Sequence, residues 1–571
     1  MASLIKKTIR GKPYYYAREC KRVDGKPKIV WQKYLGRPQD IVDAMAGAAT
    51  TGGPAQPKEA DVSDFGAVAA LYDLAERLRI VEFIDRHAPK RGSGPSVGTY
   101  LLVAVINRCV APCSKANVAD WFSGTVLRRL VDIESHQLSS QRFWDNMDRV
   151  SKEALVAIEE DLVAHMVREF EIDLRQVLFD ATNFFTFIDT FNERSTLAQR
   201  GKSKEGRAAL RIVGLALLVS ADFHVPLMHR TYPGNQADAP TFSSLLDELV
   251  ARYRLVVEGA EHVTIVFDKG NNSQENLEVV EESPYHFVGS LVPTQHPDLL
   301  AVPTKRFKSL EKDGLPGVFA YRTKKEVFGV ERTVVVTDNE KFFVAQAQTL
   351  LREIAKRQGR LRDLQHQLRR RREGKVGRGK APTVQGTRKK VDEWLKARHM
   401  KDLFKVEITG EKGLPVLSYR FDHHAWERLQ RTLLGKNILF TDNADWSDAE
   451  IVRGYRSQHH VETAFRCLKD PEHIALRPQF HWTDQKVEVH VFCCILALML
   501  CSLLERELHR QGTKMSFARA LDQLGKIREV AVIYPPEGQK RKPTVKMTVS
   551  SMTDEQRALY ETLKLSRHLA P

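Results

Sequence analysis

Cysteine and long apolar runs are scarce in this chain, which excludes several classes of protein. Its 571 residues include seven cysteines, and no two of them form a CxxC pair. This usage predicts reduced thiols in the cytoplasm rather than a disulfide framework or a zinc site. The longest apolar run, Val491 to Cys501, has 11 residues, whereas a bilayer span needs about 18–20. We therefore expect a buried core helix there, no membrane segment and no secretory signal.

Acidic residues are also few relative to basic ones. Lys and Arg number 88 against 72 Asp and Glu, which gives a net charge of +16 and a pI near 9.4. Such a balance favours a polyanionic partner, with nucleic acid ahead of an anionic membrane, although a solvated basic surface remains an alternative. The apolar share of 42% and the charged share of 28% are typical of a soluble globular protein with several domains.

Changes of pattern along the chain predict six regions. A basic, aromatic β-meander suits DNA binding or a small structural sheet, and the helical region after it suits recognition of a DNA end or a structural bundle. An α/β core then follows in two parts, separated by a β-rich insertion with a basic helical stretch. In chain order the predicted regions are the meander 1–50, the helical region 61–170, the first core part 174–294, the insertion 295–440, the second core part 441–508 and the C-terminal region 509–571.

Two aspartates are predicted to end buried strands of the core. Asp180 follows the apolar run Val177–Phe179, and Asp268 follows Val263–Phe267. Ligand sites in open α/β sheets gather at the carboxyl ends of the strands. Both carboxylates are therefore candidates for one site.

A third carboxylate lies on a segment predicted to form a single helix, Ile451 to Lys469. Tyr455, Glu462 and Lys469 recur at seven-residue steps, so a helix would place them near one face. Carboxylate oxygens are the ligands that Mg²⁺ and Mn²⁺ prefer, and two such ions can catalyse phosphodiester chemistry. Tyr455 could instead be a packed tyrosine, and Lys469 a lysine favoured by the helix dipole.

A dense basic run lies inside the insertion. Seven of the twelve residues from Arg369 to Lys380 are basic. Its glycines predict a mobile loop that binds phosphates non-specifically, and the alternative is a solvated basic face. The candidate DNA contacts in this run are Arg369, Arg370, Arg371 and Arg372.

These motifs resemble the DDE transposases of bacterial insertion sequences. The similar segments are Phe179–Asn183, Asp268–Asn276 and the helix with Tyr455, Glu462 and Lys469. One subgroup has a signature of Tyr, two residues, Arg, three residues, Glu, six residues, Lys. This chain matches it except that Gln458 stands at the arginine position, with Arg456 nearby.

The resemblance implies an RNase H-like mixed sheet with flanking helices, a β-rich insertion before the glutamate helix and a helical N-terminal region. It implies that Asp180, Asp268 and Glu462 are catalytic and bind two Mg²⁺ or Mn²⁺ ions. It also implies that Tyr455 and Lys469 contact DNA phosphates. Because Gln458 stands at the arginine position of the signature, Gln458 and the nearby Arg456 are both candidate DNA contacts.

The implied function is cut-and-paste transposition by a bacterial, cytoplasmic, nucleoid-associated enzyme. Its partners would be double-stranded DNA, both inverted-repeat ends and target, and further copies of itself in a homodimer or higher synaptic oligomer. Two alternatives stay open at this point: an RNase H-like nuclease that cuts without joining, and a catalytically silent DNA-binding protein.

Overall fold

The computed structural model divides into two compact units. The first comprises Met1–Ile265, Val279–Tyr285 and Ser457–Pro571, and the second Val266–Glu278 and His286–Arg456. The structure describes residues 3–9, 12–23, 26–47, 57–90, 92–207, 209–236, 248, 263–283, 285–375, 379–411, 413–535 and 543–570. The sequence also predicts a linker over 48–57, a helix over 238–253 and a basic loop over 540–543, all of which lie largely outside the described residues.

The fold is mixed α/β, as predicted, and the first unit contains three groups of strands. The N-terminal meander is a sheet in the order β1-β2-β3, a second sheet has the order β17-β16-β4, and the core strands have the order β8-β5-β6-β7. The strands of this unit are β1 Ser3–Ile9, β2 Lys12–Val23, β3 Lys26–Gly36, β4 Glu59–Asp64, β5 Gln176–Phe185, β6 Ile212–Ser220, β7 Pro226–Pro233, β8 Thr264–Val266 (which continues into the second unit), β16 Arg528–Tyr534 and β17 Thr544–Val549.

Helices of the first unit surround one apolar helix. Asp484–Arg510 has 27 residues, and its most apolar window is completely buried. It is the one unbroken helix, within the described ranges, that is long and apolar enough to cross a membrane, and its burial confirms the predicted core helix. All seven cysteines are free. The other helices are Pro38–Gly47, Gly66–Arg77, Ile80–His87, Val97–Val110, Val118–Ser123, Leu127–Leu130, Ser140–Met147, Lys152–Phe170, His459–Leu468, Phe517–Leu524 and Asp554–Thr562.

Serine caps begin several helices of the 61–170 region. The hydroxyls of Ser96, Ser139 and Ser151 accept hydrogen bonds from the backbone N–H groups three residues on. Each bond satisfies an N–H that has no partner within the helix, worth about 1 kcal/mol. The sequence predicts helices over 96–110 and 152–170, and the structure has them over Val97–Val110 and Lys152–Phe170.

The second unit contains five hydrogen-bonded strands and a separate apolar cluster. The sheet order is β10-β11-β12-β15-β9, and β13 and β14 form a hairpin. The hairpin, the helix Glu340–Arg372 and the helix Val384–Leu395 share a core that includes Leu361, Val391 and Ile408. The elements are β9 His286–Leu291, β10 Lys308–Ser309, β11 Val318–Val327, β12 Val330–Asn339, β13 Phe404–Glu411, β14 Leu414–Phe421, β15 Lys436–Thr441, and the helices Gln274–Glu281, Pro297–Leu300, Glu340–Arg372, Val384–Leu395, Met400–Leu403, His423–Thr432 and Asp448–Arg456.

Three local predictions were wrong. The amphipathic pattern of residues 516–530 predicts one helix, but the helix stops at Leu524, because the β-branched residues Val530, Val532 and Ile533 pair as β16 with β4 and β17. The single helix predicted over Ile451–Lys469 is two helices, Asp448–Arg456 and His459–Leu468. The run Arg369–Arg372, predicted as part of a loop, is the last turn of a 33-residue helix.

Stability of the first unit should rise with pH between about 3 and 6.5. Burial and the neighbouring His460, His459 and Arg466 lower the pKa of His224 to about 3. The unfolded chain, with a histidine pKa near 6.5, therefore binds more protons over this interval, so acid favours unfolding. His224→Asn removes the titrating group and tolerates the left-handed backbone at this position, where φ is 49°.

Denaturation midpoints at pH 5 and pH 7 measure this effect. The difference should be smaller in His224→Asn than in the unmodified protein. His136→Asn is the control, because the His136 side chain is 74% exposed. If the midpoints of both variants depend equally on pH, His224 is not the cause of the pH dependence of stability.

Candidate functional site

Asp180 lies in the middle of β5 rather than at its end as predicted. The strand continues to Phe185, and Asp180 pairs with Leu217 of β6. Its Oδ1 accepts a hydrogen bond from the Ala181 N–H at 2.7 Å. Side chains alternate along a strand, so Asp180 and Thr182 lie on the same face of the sheet. The run stays extended past the aspartate because Thr182, Phe184 and Phe185 all favour strands.

The helix that carries Glu462 packs on this sheet within the same unit. His459–Leu468 contacts β5 and β6 and buries Val461, Ala464 and Leu468. Glu462 points away from that apolar face and is exposed. Its carboxylate makes no hydrogen bond or ion pair with any residue that the structure describes. Its oxygens are therefore available to a ligand.

Lys469, at the end of this helix, is bound to β5. Its Nζ donates hydrogen bonds to Thr182 Oγ1 at 2.8 Å and to the Asn183 carbonyl at 3.0 Å. Burial is the main reason that its pKa is lowered, and the nearby Glu205 carboxylate opposes that shift. Because Thr182 shares the face of Asp180, the lysine ties the glutamate helix to the strand of the first aspartate.

Glu205 forms ion pairs with Lys469 and Arg477, and this role was not predicted from the sequence. Its carboxylate oxygens lie 3.4 Å from Lys469 Nζ and 3.2 Å from Arg477 Nη1, and its side chain is 15% exposed. Asn183 anchors the loop that carries Glu205, through hydrogen bonds between its side chain and the Lys202 carbonyl and Lys204 N–H. A signal was present, since Glu205 is a lone acid among four basic residues between positions 200 and 207.

Asp268 and Tyr455 meet in the second unit. Asp268 follows β8 and its Oδ1 accepts a hydrogen bond from the Lys269 N–H at 2.8 Å, which begins a 3₁₀ turn over Lys269–Asn271. The Tyr455 hydroxyl donates to the same oxygen at 3.4 Å and lies 2.8 Å from the Ser290 hydroxyl. Oδ2 of Asp268 accepts no hydrogen bond from the described residues, which leaves one oxygen for a ligand.

The other residues predicted to contact DNA differ in how exposed their side chains are. Arg456 is exposed, whereas Gln458 is only 9% exposed, in the break before the glutamate helix. That burial argues against a direct phosphate contact by Gln458. Arg369 and Arg370 are exposed at the end of their helix, and Arg371 donates to the Gly379 carbonyl at 2.7 Å.

The predicted metal ligands are distributed over the two units. Asp180 and Glu462 lie on contacting elements of the first unit, and Asp268 lies in the second. Among the described residues, no three His, Cys, Asp or Glu side chains converge on a point that could hold a metal ion. The available donors are nevertheless carboxylate oxygens on regular elements, the type that Mg²⁺ and Mn²⁺ require.

Comparison with known proteins identifies the family. Residues 175–500, more than half of the chain, match the family described as "Transposase DDE domain". The chain belongs to this DDE transposase family. It is therefore placed among DNA-cleaving and DNA-transposing enzymes, which generally use divalent metal ions. The match extends over Asp180, Asp268 and Glu462 and ends within the buried helix.

Two further comparisons add little to this assignment. No curated protein matches the chain. The transposase has some similarity to a piggyBac transposase solved in a synaptic complex with hairpin DNA, at 10% identity and a TM-score of 0.34. That similarity covers 80% of this chain and 78% of the other. Both values are too low to support an inference about this protein.

Lys469→Met should destabilise the first unit even when no DNA is present. The substitution leaves Glu205 buried with one of its two cationic partners missing, and an unsatisfied buried acceptor costs about 1–3 kcal/mol. Adding Glu205→Gln should recover part of the loss, because it removes the uncompensated charge. Chemical denaturation of the two single variants and the double variant measures this coupling.

Lys324→Met is a suitable control for that experiment, since the Lys324 side chain is 70% exposed. Its free energy of unfolding should stay within about 0.5 kcal/mol of the starting protein. Additive effects of Lys469→Met and Glu205→Gln would mean that the two side chains do not stabilise each other.

Proposed function

We propose that this protein is a DDE transposase that binds the ends of a mobile DNA element, cleaves them and joins them to target DNA. Membership of the transposase family over residues 175–500 is the observation that carries the proposal. The three acids predicted from sequence all fall within that region. Assignment to a bacterial insertion sequence, and to the subgroup with the Tyr-Arg-Glu-Lys signature, belongs to the same proposal.

Asp180, Asp268 and Glu462 are the proposed catalytic residues and would hold two Mg²⁺ or Mn²⁺ ions. When bound, such ions activate an attacking water or 3′-hydroxyl and stabilise the leaving oxygen of the phosphodiester. The exposed carboxylate of Glu462 and the unpaired Oδ2 of Asp268 support this role. In this proposal the Tyr455 hydroxyl orients Asp268 through the oxygen that faces away from the ligand.

Lys469 has a different proposed role from the one that the signature implies. Its Nζ is already bonded to Thr182 and Asn183, so it holds the glutamate helix on β5 rather than reaching outward. Phosphate contacts then fall to other cations, among them the exposed Arg456 and the run Arg369–Arg372, of which Arg369 and Arg370 are exposed and the other two half-buried. The helical region 61–170 is proposed to recognise the element ends, in a dimer or higher synaptic assembly.

Removing any one catalytic carboxylate should abolish metal-dependent cleavage while preserving DNA binding. Asp180→Asn, Asp268→Asn and Glu462→Gln each change charge at nearly constant shape, so the fold should persist. Nicking of a plasmid that carries the element ends, with Mg²⁺ or Mn²⁺, measures the first effect and a gel-shift assay the second. Glu193→Gln, an exposed acid outside the proposed site, is the control.

The same assay distinguishes the proposed transposase from a nuclease that cuts without joining. Cleavage at the original rate in Glu462→Gln would exclude that residue from the site. Cleavage without joined products, under conditions that capture strand transfer, would indicate a nuclease rather than a transposase. Calorimetric titration with Mn²⁺ gives an independent readout, because each of the three variants should bind the ion more weakly.

Neutralising Arg369, Arg370, Arg371 and Arg372 together as glutamines should reduce the salt dependence of DNA binding. The slope of log K against log salt changes by about 0.9 for each phosphate contact with duplex DNA. Fluorescence anisotropy at several salt concentrations measures it. Lys324→Gln with Lys396→Gln is the comparison, since both side chains are exposed. An unchanged slope would place the arginine run away from DNA.

A further inference from the structure

The N-terminal sheet presents two unlike faces within the first unit. Pairing of β1 with β2 places Lys6 opposite Tyr15 and Lys7 opposite Tyr14. Neighbouring residues on a strand point to opposite faces, so Lys6 and Tyr15 share one face and Lys7 and Tyr14 the other. We call these the inner and outer faces of the meander.

Around Lys6 and Tyr15 the inner face packs on the rest of the first unit. Tyr15 is 3% exposed, and burial raises its pKa. Burial likewise lowers the pKa of Lys6, with Arg528 as the next cause. Arg528 belongs to β16, which pairs with β4. One face of the meander is therefore used for packing within the first unit.

The outer face is an array of tyrosines and cations. The Tyr34 ring centroid lies 5.1 Å from that of Tyr16 and 6.2 Å from that of Tyr14. Lys7 Nζ lies 5.1 Å from the Tyr16 ring centroid, and the Arg37 guanidinium 5.6 Å from that of Tyr14. These contacts hold the cations on the face by cation–π attraction. Tyr34, at the centre, is 50% exposed.

The charge of this segment points to a polyanion. Residues 1–37 contain 11 Lys and Arg but only two acids, Glu19 and Asp24. The resulting +9 is more than half of the net charge of the whole chain, in less than a tenth of its length. Apolar surface alone would suit a protein partner, but interfaces between proteins are depleted in lysine, whereas DNA-binding surfaces are rich in it.

We propose that the outer face of the meander is a second contact surface for duplex DNA, separate from the proposed catalytic residues. Lys7 and Arg37 neutralise backbone phosphates, and the Tyr14, Tyr16 and Tyr34 hydroxyls donate hydrogen bonds to phosphate oxygens. Contacts of this kind position the duplex and carry no sequence information. Neighbouring strands of a sheet lie about 5 Å apart, and the major groove of duplex DNA, about 12 Å wide, admits a two-stranded β-ribbon. The inference goes beyond the proposed catalysis and does not depend on it.

Two matched double variants of the full chain test the surface. Lys7→Gln with Tyr34→Ala alters the outer face. Lys33→Gln with Trp31→Ala alters the exposed part of the inner face, away from the buried Tyr15. Each pair removes one lysine and one aromatic side chain of similar exposure, since Tyr34 is 50% and Trp31 45% exposed. Affinity for a duplex without element ends is measured by anisotropy against salt concentration.

The outer-face pair should weaken duplex binding about tenfold and make the salt slope shallower by about one, since one phosphate contact is lost. The inner-face pair should leave both values unchanged. Equal effects of the two pairs, or no effect of either, would overturn the proposal. So would weakened binding to phosphatidylserine vesicles or to single-stranded DNA with duplex binding intact.

Two additional measurements guard against other causes. Lys7→Glu, a charge reversal at an exposed position, should reproduce the loss without removing an aromatic ring, and an unaltered Kd would count against the surface. At saturating protein, plasmid nicking by the outer-face pair should recover, whereas Asp180→Asn should stay inactive at any concentration. Failure of the meander proposal is thereby distinguishable from failure of the catalytic proposal.

Discussion

The bond between Lys469 and β5 is the interaction on which the candidate site in the first unit depends. A lysine ammonium is costly to bury, and here its cost is offset by a hydroxyl, a carbonyl and the Glu205 carboxylate. Those partners lie two and three residues beyond Asp180 and in the loop that Asn183 anchors. The first motif thus does more than supply an acid, because its threonine and asparagine hold the helix that carries Glu462.

Several features could be predicted from the sequence because they depend on local pattern. The apolar periodicity of Lys152–Phe170 and its Ser151 cap define a helix without reference to the rest of the chain. The buried Asp484–Arg510 helix and the strands around positions 180 and 220 were predictable for the same reason. The mixed α/β class followed from the alternation of strand and helix patterns, and the transposase family from the resemblance of the motifs around Asp180, Asp268 and Glu462.

The remaining features depend on tertiary contacts. Glu205 was missed because its partners, Lys469 and Arg477, lie more than 260 residues later in the chain. The break at Ser457–Gln458 was missed because the periodicity of Tyr455, Glu462 and Lys469 is that of a continuous helix, whereas the chain turns at these two residues between the helices. Asp180 was placed at a strand end because the polar residues after it resemble a turn, yet they pair with β6.

The hairpin of β13 and β14 and its two helices have an apolar core of their own. Side chains such as Leu361 and Ile408 depend for burial on neighbours from the same stretch of chain, between positions 354 and 425. A segment that supplies its own core can vary in sequence and length without disturbing strands elsewhere in the chain. Sequence change can therefore accumulate in this segment while the acids and the lysine tether remain unchanged.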